Sequence, residues 1–567
     1  MLSNNRFVWR SFTRHCLIAA LLTLSSSAMA AHPTGTPGSV VATPPDMTYF
    51  ALQGDTLSGI SKRFTDKAMN WKVLSKRNKI ADDRAIPVGT AILIPLELLP
   101  EEESQARVVA LAGTPSYLPL NDSQEVTLTI GSIVKEGGKI ITGKNGFLTL
   151  TLPDESRISI PSNSQVKVSK LRQTRFTASP RTELTLLEGK VESRVSSLIS
   201  NHGRFEVRTP LAIAGVRGTH FRVGVSDAST GNEVLEGGVA VDSAAGKKNT
   251  GLVLPAGKGN IIDTHGVGKA IDLLPAPVLA ADYSLQIRPT VQFSVQPMAT
   301  AAAYRVQISK DQQALNVLTE NRFKENRFKF DGLPDGQYFI RATAIDRLGL
   351  EGMPMLQAFT LKARPEPPFS IQPKNKVRSE TADFVWTEAA QADFYHLQIA
   401  RDSEFNNLVA DRNQIREVQL PGIPLPLGQY FWRVATVIQK NGITDQGPYS
   451  DTQGFVVAQP QAQASMGDSD GKQMSFSWSS EPGQHFLIQI ATDPAFHTLY
   501  LTKELDQAEL KIPRPAAGQY YLRVRATDPD GYVGAFSATQ KITILPQWTS
   551  GTGEPVVSGG QVVRPGF

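Results

Sequence analysis

Between residues 48 and 96 the spacing of apolar positions changes twice. Tyr49 and Phe50 open a short strand-like run, and Gly54-Asp55-Thr56 follows as a turn. Asp55 or Thr56 is placed to cap a helix. Leu57, Ile60 and Phe64 then recur at helical spacing and mark one inward face. "NWKVLSKRN" predicts a second amphipathic helix with Trp71 and Leu74 inward, and Ala91 to Ile94 closes the stretch as a strand. The predicted order is β-α-α-β. From 105 to 275 the period shortens to two. "FLTLTLPDESRISIPSNSQVKVSKL" alternates apolar and polar residues and breaks at Pro153-Asp154-Glu155 and Pro161-Ser162-Asn163. Turn signals return about every ten residues, which predicts a meandering or solenoid-like β domain.

The C-terminal half repeats itself. "YRVQISKD" (from Tyr304), "YHLQIARDSEF" (from Tyr395) and "FLIQIATDPAF" (from Phe486) place Gln307, Gln398 and Gln489 at intervals of 91 residues. A second marker, "GQYFIRATA", "GQYFWRVAT" and "GQYYLRVRA", carries Tyr338, Tyr430 and Tyr520. A period of this length means tandem domains rather than solenoid turns. The expected β-sandwiches span 283–363, 366–458 and 462–546. Val295 stands in the first copy where the others carry Trp386 and Trp478, so a looser core is expected there. Symmetry of fold accounts for the recurring glutamines, with a binding code as the alternative. The Gly/Pro-rich residues 547–567 read as a flexible tail.

A length of 567 residues suggests about three to five domains. Residues 1–30 read as a cleavable secretory signal: Arg6, Arg10 and Arg14, then "LIAALLTLSSSAMA", then Ala28-Met29-Ala30. Cys16 is the only cysteine and would leave with that signal. Disulfides, Cys-based metal sites and Cys nucleophiles are thereby excluded from the mature chain. A secreted chain without disulfides suits a bacterial periplasm. No later stretch is apolar enough to span a bilayer. The net charge of +5 comes with no basic stripe of interleaved aromatics, so nucleic acid is not an expected partner.

Residues 48–96 resemble a LysM domain. The match rests on the aromatic strand start, Gly54-Asp55-Thr56-Leu57, Trp71, Asn78 and Ile80, Pro87 and Gly89, and Ile92 to Pro95. The usual Pro-Gly pair is spread as Pro87-Val88-Gly89. The resemblance implies binding of N-acetylglucosamine-containing glycan, here peptidoglycan. The implied site pairs Gly54, Asp55, Thr56 and Leu57 with Ile80, Ala81, Asp82 and Ile86. Lys62, Arg63, Lys67, Lys72, Lys76, Arg77, Lys79 and Arg84 outnumber the acidic residues of the stretch. A basic surface favours an anionic wall polymer, although each cation alone reads as a solvated helix face.

"FEVRTPLAIAGVRGTHFRV" resembles the signature of the FecR domain, a periplasmic β module. Thr209, Pro210, Gly215, Val216, Arg217, Gly218, Thr219 and Phe221 all match. The two glycines permit positive φ or close backbone approach at a bend. Arg217 between them could fork onto carbonyls or a carboxylate and lock it. His220 has no Ser or Cys elbow beside it. FecR-type sigma-factor regulators carry a cytoplasmic segment and a membrane span before this domain, whereas this chain carries a signal and the LysM-like module.

The three repeats resemble fibronectin type III or related immunoglobulin-like sandwiches, and each Tyr fits a tyrosine corner. The expected architecture is therefore multidomain and mainly β: a small βααβ LysM domain, a β-rich FecR-like domain at 105–275 and three tandem sandwiches. "DPDG" (Asp528 to Gly531) and "DSDG" (Asp468 to Gly471) read as turns. No HExxH or GxSxG pattern exists. Catalytic residues, metal ligands and cofactors are therefore not expected. The expected role is a non-enzymatic periplasmic scaffold or adaptor, with the LysM module anchoring it to peptidoglycan and the FecR-like and sandwich domains mediating protein or glycan interaction, an envelope protein being the candidate partner. The alternatives are a wall hydrolase, or an accessory part of FecR-type envelope signalling acting through a membrane partner.

Overall fold

The computed structural model describes residues 34–82, 84, 86–196, 203–216, 218–226, 228–245, 251–468 and 471–565. The expected signal segment, Cys16 and Arg217 lie outside the described residues. The protein is mainly β, and among the described residues the helices lie in and directly after the N-terminal module. By contacts the chain divides into two compact units. One holds residues 1–277, 298–324 and 341–355; the other holds 278–297, 325–340 and 356–567.

The N-terminal module is a three-stranded antiparallel sheet carrying two helices. β1 (Val40–Thr43) pairs with β2 (Asp46–Phe50), and β2 pairs with β3 (Ala91–Pro95), so β2 is central. β1 lies upstream of the stretch where the sequence predicted the first strand. α1 (Leu57–Thr65) and α2 (Trp71–Asn78) bury Leu57, Ile60, Phe64 and Leu74 against Tyr49, Ile92 and Ile94. Trp71 packs against this core from its half-buried edge. Asn78 joins helix to sheet: its Nδ2 donates to the carbonyls of Leu74 (2.9 Å) and Leu93 (2.8 Å), and its Oδ1 accepts from Leu93 N at 2.7 Å.

The β-rich domain runs from Glu101–Glu103 to Ile271–Asp272 as one set of hydrogen-bonded strands. The long strand Pro180–Arg194 is its hinge. The first half pairs with Gln165–Thr174 and, in parallel, with Arg204–Arg208. The second half pairs with His220–Ser226 and Arg157–Ile160. One strand thus serves two sheet regions, whose facing side chains form a core that includes Val166, Leu184, Val207, Phe221 and Val223. Apart from the parallel pair, the strand pairings of this domain among the described residues are antiparallel, as period-two alternation with close turns requires.

In the second unit, the second repeat closes over Phe384, Trp386, Tyr430, Trp432 and Phe455, and the third over Phe476, Trp478, Phe486 and Leu522. Tyr338, Tyr430 and Tyr520 donate their hydroxyls to the carbonyls of Pro334 (2.6 Å), Pro426 (2.6 Å) and Ala516 (3.2 Å). Val295 is fully buried, and Phe293 packs on Phe359 at 5.0 Å between ring centroids, so aromatic volume near the missing Trp comes from other positions. The recurring glutamines acquire a structural role. Arg433 donates to Gln398 Oε1 (3.0 and 2.8 Å) and lies over the rings of Phe405 and Tyr449. Arg523 does the same with Gln489, Phe496 and Phe536. Within the Gly/Pro-rich tail, Val557–Ser558 pairs with Gln561–Val562. Gly559 and Gly560, both at positive φ, supply the tight turn that this two-residue hairpin needs.

Candidate glycan site and the signature strand

The pairing of Phe50 with Ala91 brings the loop after β2 beside the loop before β3. Ala51 N donates to the Thr90 carbonyl at 3.0 Å, and Gly89 N to the Ala51 carbonyl at 2.7 Å. Gly54 sits exposed at a positive φ of 82°. Ala81 and Asp82 are exposed, Ile80 is half-buried and Ile86 is buried. Leu57 is fully buried, so its side chain cannot pack on a sugar. Thr56 is the cap of α1, accepting from Gly59 N at 3.1 Å.

Asp55 is buried in a network of its own. It accepts from Tyr49 Oη (2.6 Å), Leu52 N (2.8 Å) and Arg63 Nη2 (2.9 Å), and Arg63 Nη1 also donates to Tyr49 Oη at 2.8 Å. Burial pushes the Asp55 carboxyl up, but Tyr49, the Leu52 amide and Arg63 outweigh it and hold it below the ordinary aspartate value. Its side chain therefore shapes the loop. Arg77 is similarly taken up by buried Asp46, at 2.5 and 3.2 Å. Two residues that sequence reasoning passed over stand out on the same pair of loops: Leu52 is 42% exposed and Val88 51% exposed. Their signal was available, since each is an apolar residue breaking a polar turn. Exposed apolar side chains on two apposed loops are what the face of a sugar ring requires.

In the β-rich domain, Thr209 and Pro210 make the turn into the strand Ala212–Val216. Thr209 Oγ1 accepts from Ala212 N (2.8 Å) and Leu211 N (3.2 Å), and it bonds Thr230 Oγ1 at 2.8 Å. Gly215 is not at the bend. It lies inside the strand opposite Glu206 and Ala240, without positive φ, and an added Cβ would meet nothing closer than 4.0 Å. Gly218 is at the bend, with φ 59°. Thr219 is buried, its hydroxyl donating to the Gly238 carbonyl at 3.0 Å. Val216 and Phe221 face inward, and Phe221 meets Phe205 edge to face at 6.1 Å.

His220 is buried against Glu192, with Nε2 and Oε1 2.7 Å apart. Arg341 grips the same carboxylate at 2.9 and 2.8 Å. Burial raises the Glu192 carboxyl, but Arg341, His220 and Arg222 together hold it well below the usual glutamate value. Asp528 of the "DPDG" turn is likewise consumed. Burial raises it, yet Arg378, Lys376 and Gln484 bring it down to about 2.

Two family models match parts of this chain. The LysM domain model matches residues 52–95. The FecR protein model matches residues 138–240. Both modules are typical of extracytoplasmic proteins, and a LysM module implies glycan binding. No curated protein matches the chain. Among solved structures, two crystal structures of a candidate anti-sigma factor from Parabacteroides distasonis are similar at 21% and 20% identity. They cover 24% of this chain and 59% and 68% of those chains, with a TM-score of 0.20 each. The chicken CNTN1 FN1–FN3 domains are similar at 16% identity over 47% of this chain and 98% of that one, with a TM-score of 0.19. Among the described residues no helix is long and apolar enough to cross a membrane.

Proposed function

We propose that this chain is a non-enzymatic periplasmic scaffold. The LysM module holds peptidoglycan, and the β-rich domain and sandwiches engage an envelope protein. The observation that carries the reading is the pair of apposed loops in residues 51–56 and 80–90, with Leu52 and Val88 exposed beside Gly54 and Ala81. The absence of an enzymatic role is supported by the state of the titratable groups in the recognised motifs: Asp55, His220 and Asp528 each spend their hydrogen-bonding capacity on internal partners. The FecR match supports a second reading, an accessory role in envelope signalling through a membrane partner.

The test is co-sedimentation with purified sacculi. The chain should pellet with them, and the double variant Leu52→Asp, Val88→Asp should stay in the supernatant with an unchanged melting temperature. Equal pelleting of the variant would refute the loop site. Recovery of an integral membrane protein on cross-linking through residues 138–240 in whole cells would favour the signalling role.

A further inference from the structure

Within the first unit, the segments 298–324 and 341–355 pack on the β-rich domain around a cleft of about 560 Å³. That volume suits a small ligand. Its inner wall is ionic. Lys190 Nζ lies 2.8 Å from Glu351 Oε1 and 3.3 Å from Glu233 Oε1. Arg305 pairs with Glu320 at 2.7 Å and with Glu351 at 3.3 Å. Arg222, fully buried behind them, closes the set on Glu233 (2.7 Å) and Glu351 (2.9 Å). Three cations thus face three carboxylates, and their charges cancel. An apolar wall of similar shape would join these segments at no greater cost, because removing charges from water is expensive even when they are paired. The ionic wall instead gives the cleft a polar but neutral interior, in which a net charge would go uncompensated.

The rim is different. Lys144 and Arg322 both line the cleft, are exposed, and have no carboxylate partner among the described residues. Asn145, Asn163 and Asn321 line it too, and their side-chain amides make no hydrogen bond among the described residues. Asn145 and Asn163 are fixed in the left-handed region (φ 60° and 55°), which holds both amides at tight turns. Leu348, 58% exposed, adds an apolar edge. Free cations call for a carboxylate, free amides for amide partners, and an exposed leucine for a small apolar side chain.

We propose that this cleft binds a short peptide with a free carboxyl end. The carboxylate meets Lys144 and Arg322, the peptide amides meet the asparagines, and an apolar side chain rests on Leu348. The site is separate from the glycan loops of the LysM module.

Isothermal titration of the full chain with tri-alanine tests it. Saturable binding is expected. Tri-alaninamide, which lacks the carboxylate, should bind at least about tenfold more weakly. So should tri-alanine to the variant Lys144→Glu, Arg322→Glu, whose melting temperature should stay unchanged because both residues are exposed. The variant Leu52→Asp, Val88→Asp should bind tri-alanine normally, whatever it does on sacculi. Absence of saturable binding, equal affinity for the amide, or equal affinity of the charge-reversed rim would overturn the proposal. A uronic-acid oligosaccharide that binds more tightly than tri-alanine would overturn the peptide assignment.

Discussion

Gly215 and Gly218 share one motif, yet the backbone asks different things of them. Gly218 occupies the left-handed region, where a β-branched residue is strained. Gly218→Val should cost about 2 kcal/mol in urea denaturation of the β-rich domain. Gly215→Ala should stay within about 0.5 kcal/mol of the parent, since its φ is ordinary and its Cβ position is open. The same distinction applies in the LysM module. Leu57→Ala should cost about 2–5 kcal/mol through a core cavity. Asp55→Ala should cost about 1–3 kcal/mol by stranding the Tyr49 hydroxyl and the Leu52 amide. Both substitutions act on glycan binding through the fold, which makes Leu52 and Val88 the better probes of the surface.

At the scale of elements, the three tyrosines tie their late strands back to the carbonyl four residues upstream. Tyr430→Phe keeps the packing and removes one hydrogen bond, so a loss of about 1 kcal/mol is expected from thermal melts. Tyr520→Phe should lose less, because its bond is longer, at 3.2 Å against 2.6 Å. The Gln–Arg pairs show how one sequence marker takes different surroundings. In the second and third repeats the arginine lies between aromatic rings. In the first, Ala314 occupies the place of Phe405 and Phe496, and Arg341 joins Gln307 (3.2 Å) to Glu192 of the β-rich domain.

At the scale of the whole molecule, the ionic wall and the Glu192–Arg341 pair make the first unit sensitive to acid. Glu192, Glu320 and Glu351 are all held below the ordinary glutamate value, with burial opposed and outweighed by Arg341, Arg305 and Lys190 respectively. Their folded pKa values lie below their unfolded ones. The stability they contribute is therefore complete above the unfolded glutamate value and is lost as pH falls toward the folded ones. Melting of the first unit should be flat from neutral pH to about 5 and should decline below that. Asp528 places a similar dependence in the second unit: a pKa of about 2 means its contribution, about 2 kcal/mol, disappears between the unfolded aspartate value and strong acid. Asp528→Asn should remove that part of the acid dependence, as differential scanning calorimetry across pH can show.

The sequence alone determined what local pattern and short motifs can carry. Helical spacing of Leu57, Ile60 and Phe64 located α1, and a 91-residue period located three copies of one fold. The two signatures named the modules that the family models match. These features are legible because each rests on neighbours in the chain. Tertiary structure decided the rest. It buried Leu57 and Asp55 and left Leu52 and Val88 exposed, and of the two glycines expected at the bend it kept only Gly218 there. It also assembled Lys190, Arg222, Glu233, Arg305, Glu320 and Glu351 into one wall. Those six come from strands and turns far apart in the chain, and each alone reads as one polar position in an alternating pattern. Only packing removes them from water, and only then must every charge find its partner.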